Sequence, residues 1–196
     1  MKKLVVGEFL TLDGVMQAPG YPEEDTEGGF KYGGWQIQYG DAEGGKIIGE
    51  FIAGVDALLL GRVTYQIFAA YFPNAPEDDP IVNKLNSMPK YVVSTTLERV
   101  EWNNSMLIKK NVEEEVAKLK QKPGSGFLQV IGSGKLAQYL MKAGLVDEYF
   151  LMIHPLVLGS GKRLFDNGVG PMNLKLVDSK TTDSGVVILT YQPQSK

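Results

Sequence analysis

The chain has no cysteine and only one histidine, His154, in 196 residues. Without cysteine there is no disulfide framework, no thiolate metal site and no cysteine nucleophile. With one histidine there is no Cys/His zinc motif either, so no metal site is expected. Positive charge is not in surplus: 20 Lys and Arg against 23 Asp and Glu leave a formal charge of −3. Nucleic acids and anionic membranes both favour a basic surplus, so neither is expected as a partner. Long apolar runs are missing too, none approaching the ~18 residues of a membrane span. Lys2 and Lys3 are followed by a short apolar stretch and then Glu8, too early a charge for a signal-peptide core. The expectation is a soluble, cytoplasmic protein.

What is present reads as one globular domain over residues 1–196, with 43% hydrophobic and 22% charged residues. A chain of this size buries about 70% of its unfolded surface, enough for one good core. Glycine (23) and proline (10) together exceed ordinary usage, which implies many tight turns or close approaches of backbone to a ligand.

Short apolar runs alternate with helical patterns. Leu4–Leu10 reads as a strand leading into the turn Thr11-Leu12-Asp13-Gly14. Residues 17–40 are aperiodic and rich in glycine and aromatics, the pattern of a packed lid. Asp41 is placed to cap a helix whose apolar face is Ile47, Ile48, Phe51 and Ile52. The run 57–60 reads as a buried parallel strand, followed by a helix ending before Pro73. Pro76–Asp79 reads as an exposed acidic loop, and 90–94 and 106–109 as strands. Asn111 is placed to cap a helix through Lys120. Strand 127–131, a helix through 143 and strand 147–154 follow. Residues 174–191 read as a hairpin turned at Asp183-Ser184-Gly185. This order predicts an α/β fold: three layers, α/β/α, with a mostly parallel central sheet and a C-terminal antiparallel hairpin.

Three strand ends carry anion-binding chemistry. Ile131-Gly132-Ser133-Gly134 runs from an apolar strand through two glycines into a helix, where free N–H groups and the positive dipole end suit a phosphate. A plain strand–helix turn is the alternative. The string lacks the leading glycine and the Ser/Thr after Lys135 that a magnesium-holding phosphate loop needs. At the second end, Gly61-Arg62-Val63-Thr64 offers a guanidinium fork and a hydroxyl, or else a solvated Arg and a cap. The third, Ser94-Thr95-Thr96, offers hydroxyl donors with no adjacent acid, or else a polar turn. One extended ligand with several phosphates, a dinucleotide, could touch all three.

The chain resembles the dihydrofolate reductase-like superfamily, and within it the reductase domain of bifunctional riboflavin-biosynthesis deaminase-reductases and their stand-alone bacterial relatives. The matching motifs run the length of the chain: Thr11-Leu12-Asp13-Gly14, Gly33-Gly34-Trp35, Leu60-Gly61-Arg62-x-Thr64-Tyr65, Val130-Ile131-Gly132-Ser133-Gly134, Gly144-Leu145-Val146-Asp147-Glu148-Tyr149 and His154-Pro155-Leu156-Val157-Leu158-Gly159-Ser160-Gly161. The resemblance implies NADPH as hydride donor and a small heterocyclic or ribosyl-pyrimidine substrate. It implies phosphate contacts at Gly61, Arg62 and Thr64, a 2′-phosphate at Ser94 and Thr95, and the pyrophosphate at Ile131, Gly132, Ser133 and Gly134. It also implies a homodimer. Asp13, Tyr32 and Trp35 are the candidates for substrate contact, the two aromatics by stacking.

The chain departs from dihydrofolate reductases where those enzymes carry a carboxylate early in the first helix. Gly45 falls near that place, with Glu43 the nearest acid. No catalytic acid is assigned. His154, before a proline on an apolar strand, reads as structural, and Glu8 requires a partner, an edge position or a cleft. The competing class is a non-catalytic nucleotide- or pterin-binding module with the same fold.

Overall fold

The computed structural model describes residues 1–166 and 168–194. Eight strands form one sheet in the order β4-β3-β2-β5-β1-β6-β8-β7. The first six are mutually parallel: β1 (Leu4–Thr11), β2 (Val55–Gly61), β3 (Lys90–Val93), β4 (Ser105–Ile108), β5 (Phe127–Ile131) and β6 (Glu148–His154). β8 (Val187–Pro193) is antiparallel to β6, and β7 (Leu174–Thr181) is antiparallel to β8. The mostly parallel sheet with a terminal antiparallel hairpin is the architecture the sequence predicts.

Helices cover both faces, so the central strands are apolar on both sides rather than alternating. On one face α4 (Val112–Gln121) and α5 (Gly134–Lys142) bury Val116, Leu119, Leu136 and Leu140 against Leu4, Val6, Leu59 and Val130. On the other, α1 (Ala42–Ala53), α2 (Arg62–Tyr71) and α3 (Pro80–Ser87) bury Ile52, Tyr65 and Leu85 against Val55, Leu58, Leu60 and Val92. Val186 and Ile188 of the hairpin join Ile47, Phe150 and Met152 in the core, so alternate residues of that apolar run face inward.

One local expectation is corrected. Asn111 stands at the N-cap of α4, but its backbone is left-handed (φ 54°) and its side chain accepts no capping bond. Pro76–Asp79 is the exposed acidic loop expected, and a helix follows it directly: Asp79 accepts from the backbone N–H groups of Ile81 and Val82, and Pro80 at the first helical position starts α3. Asp41 does cap α1, accepting from Gly44 N–H at 2.6 Å.

Candidate cofactor groove and substrate cavity

The three predicted strand ends are neighbours. β3, β2 and β5 are adjacent in the sheet, and all three point the same way. Ser94 and Thr95 follow β3, Gly61 and Arg62 join β2 to α2, and Gly132–Gly134 join β5 to α5. A parallel sheet gathers ligands beyond its C-terminal strand ends, and these residues lie there.

The joints at β2 and β5 are tied to each other. Gly61 N–H donates to Ser133 Oγ at 2.9 Å, and Ser133 N–H donates to Thr64 Oγ1 at 2.8 Å. Gly132 and Ser133 both take left-handed backbone, φ 58° and 50°. A Cβ at Gly132 would stand 2.9 Å from Thr64 Oγ1 and Cγ2, so the close approach requires glycine. These hydroxyls accept from backbone, which leaves each O–H free to donate outward. At β3 the serine hydroxyl has a side-chain neighbour as well: Ser94 Oγ lies 3.3 Å from Thr96 Oγ1. Ser94 Oγ accepts from Thr96 N–H at 3.2 Å and Leu97 N–H at 3.0 Å, while Thr95 is exposed.

The helices beyond these joints carry no side-chain cap. α2 begins after Gly61 and α5 after Ser133, and neither cap residue accepts a bond from its helix through a side chain. α1 and α3 are capped by aspartates. Two uncapped N-termini side by side leave first-turn N–H groups and two positive dipole ends facing one groove. Arg62 is exposed at its rim, its Nη1 3.0 Å from Gln66 Oε1.

Glu8 lies beneath the glycine turn. It is buried in β1, its Oε2 accepts from Gly132 N–H at 3.0 Å, and its Oε1 has no partner. Burial pushes its pKa well above the carboxylate range, against the lowering by the Gly132 bond. Of the outcomes weighed for this residue, the structure adopts a buried position with one backbone partner.

One strand further on, a cavity of about 190 Å³ opens between β1, β6, β8 and the start of α1. Phe9, Ile48, Met152, Val186 and Ile188 make it apolar, and Tyr39, Asp41, Gly45 and His154 also line it. β1 alone separates it from β5 and the groove, since β1 pairs β5 on one side and β6 on the other. Each Asp41 oxygen holds a backbone N–H: Oδ1 that of Gly44 and Oδ2 that of Ser184, the latter at 2.7 Å. Those bonds lower its pKa to about 2. Glu43 is not among the lining residues.

The lid residues have other neighbours. Trp35 is buried with Val15, Ala18 and Phe30 in a small core of its own, and its Nε1–H donates to Gln17 O at 2.7 Å. Tyr32 is exposed and meets Phe30 edge to face at 5.7 Å. Neither lines the cavity. Asp13 is a clasp between loops, accepting from Leu158 N–H, Gly159 N–H and Arg163 Nη2. Burial opposes its ionisation, but the bonds from Thr11, Leu158 and Gly159 outweigh it and hold its pKa near about 2. Lys162, in the second glycine loop, is paired with Asp25 at 2.6 Å and Glu27 at 2.7 Å. That loop therefore anchors the lid. The cavity walls Phe9, Ile48, Met152, Val186 and Ile188 were missed in the sequence, because apolar residues lining a pocket read the same as core.

Residues 2–188 match the model of the RibD C-terminal domain, and the chain belongs to that family. It is 37% identical over 147 residues to the uncharacterized protein YyaP of Bacillus subtilis, covering 72% of this chain and 76% of that one. Among solved structures, a putative riboflavin biosynthesis protein from Shewanella sp. PV-4 superposes with a TM-score of 0.74 at 22% identity, over all of both chains. Dihydrofolate reductase from Enterococcus faecalis, solved with NADP(H), superposes with a TM-score of 0.61 at 14% identity, covering 98% of this chain and 97% of that one. The fold is thus dihydrofolate reductase-like, as the motifs imply.

Proposed function

We propose that the protein is an NADPH-dependent reductase of a small heterocyclic or ribosyl-pyrimidine-type molecule. The observation that carries this reading is the pair of uncapped helix N-termini, α2 and α5, pinned together through Gly61, Thr64 and Ser133. Such a cradle fits a pyrophosphate: first-turn N–H groups, outward O–H donors and a nearby guanidinium, with no carboxylate free to repel the anion. Glu8 is the nearby acid, and its burial raises its pKa and so opposes a negative charge there. Ser94, Thr95 and Arg62 are the residues that would take a 2′-phosphate. The adjoining cavity is the place for the substrate ring. When bound, the nicotinamide supplies hydride, and the protein supplies placement and exclusion of water. Family membership and the superposition on an NADP(H)-complexed reductase support the same reading.

The test is a fluorescence titration of the protein with NADPH and, in parallel, NADH. NADPH is expected to bind at least tenfold tighter than NADH, and Arg62→Ala to narrow that gap. Equal affinities, or an unchanged Arg62→Ala, would remove the groove assignment. Tight NADPH binding without oxidation by any pyrimidine, pterin or simple carbonyl would favour the non-catalytic module.

A further inference from the structure

The cavity holds one polar group whose direction is fixed by backbone. His154 Nδ1 lies 3.2 Å from the carbonyl oxygen of Leu10 and 3.0 Å from that of Met152. Carbonyls only accept, so Nδ1 carries the proton and donates it. Burial disfavours the imidazolium, and the ring is neutral near pH 7. Nε2 therefore bears a lone pair, and no donor among the described residues reaches it.

The ring is also held in plane. Trp35 and Tyr39 meet it edge to face at 5.1 and 5.6 Å, and Phe9 packs at 5.9 Å. The imidazole lines the cavity among apolar walls. Asp41, the carboxylate on the wall, holds one backbone N–H at each oxygen. Gly45, also on the wall, puts no side chain into the space. Gln36, Tyr39 and Thr182 are the neutral polar residues that line the cavity beside His154.

We propose that His154 Nε2 is the specificity-determining acceptor of this cavity, taking a hydrogen bond from a ring N–H or O–H of a flat, uncharged ligand. Amidine- and guanidine-type cations would be drawn to the ionised Asp41 rather than to Nε2. The proposal rests on reading this cavity as the substrate site, and it is independent of how the groove treats NADPH.

Because His154 is the sole histidine, the full-length protein labelled with ¹⁵N-histidine gives one pair of ring-nitrogen signals. The free protein is expected to show a protonated Nδ1 and an unprotonated Nε2. Uracil is then the probe, with 1,3-dimethyluracil as the same ring lacking N–H, and benzamidine as a flat cation. Uracil is expected to move the Nε2 signal, and the other two to leave it in place. His154→Phe is expected to weaken uracil binding about tenfold, the share of one hydrogen bond, and His154→Gln to restore most of it through its amide oxygen. A protonated Nε2 in the free protein overturns the proposal. So do equal responses to the two uracils, an unweakened His154→Phe, or no uracil binding up to its solubility. NADPH titrated into the same samples reports separately on the reductase reading.

Discussion

Ser133 and Thr64 are 69 positions apart in the chain, yet the backbone N–H of the first donates to the hydroxyl of the second at 2.8 Å. This bond fixes the start of α5 against the first turn of α2 and keeps both helix ends open to the groove. Thr64→Val removes the acceptor and strands a partly buried N–H, which costs about 1–3 kcal/mol. NADPH affinity is expected to fall at least tenfold, since the groove loses both its shape and one O–H donor. Thr64→Ser keeps the oxygen and is expected to stay within threefold of the parent. Thermal melts and NADPH titrations of the two variants decide it. A loss in Thr64→Ser with Thr64→Val unaffected would assign the effect to the methyl group of Thr64 instead.

Gly132→Ala tests the same joint from the other strand. The left-handed backbone and the 2.9 Å approach to Thr64 both oppose a Cβ. A loss of about 1–3 kcal/mol in urea unfolding is expected. Gly49→Ala, in α1 with nothing near its Cβ, is the control and is expected to stabilise by about 0.5–1 kcal/mol.

The groove was legible in the sequence because its chemistry is local: each strand end is a short string whose glycines and hydroxyls have few other uses. That these ends adjoin came from topology, and a βαβ order restricts topology strongly. The cavity was not legible. His154 and Glu8 become informative only through partners 144 and 124 positions away, Leu10 and Gly132. An aromatic in a glycine-rich segment reads as a ligand platform, and the sequence alone does not show that Trp35 also packs with Val15, Ala18 and Phe30 in the small core of the lid. Helix α3 was passed over because eight residues after an acidic run carry little periodicity, although Asp79-Pro80 spells a helix start.

Glu8 makes stability depend on pH. Its folded pKa is raised, while the unfolded chain titrates near ~4.3. Above that value the unfolded chain releases a proton that the folded one retains, so this group lowers stability as pH rises toward the folded pKa. Glu8→Gln keeps an acceptor for Gly132 and cannot ionise. Parent and variant are expected to melt together below pH 4 and to separate above it, with the variant the more stable at pH 8. A disadvantage of the variant that grows as pH rises would mean that Glu8 is ionised in the fold.

Lys162 joins the lid to the loop that follows β6, through Asp25 and Glu27. Lys162→Met keeps the length of the side chain and removes both ion pairs. Partly exposed pairs contribute little to global stability, so the melting temperature is expected to move slightly. Local opening is a separate quantity, and residues 17–40 are expected to be cleaved several times faster in limited proteolysis. Unchanged cleavage would place the anchoring in the apolar set Val15, Ala18, Phe30 and Trp35 instead.

Gly45 offers a way to rewrite what the cavity accepts. It lines the cavity early in α1, and a Cβ built there meets no atom within 4 Å. Gly45→Asp places a carboxylate near a helix N-terminus, where the dipole favours it, and removes a helical glycine. Burial of the new charge opposes these gains, so a melting temperature within a few degrees of the parent is expected. Benzamidine is expected to bind the variant at least tenfold more tightly than the parent, the scale of one charge-assisted hydrogen bond. Uracil is expected to lose affinity, since its carbonyl oxygens would face the new anion. If benzamidine binds parent and variant alike, the cavity does not select by charge at this position of α1.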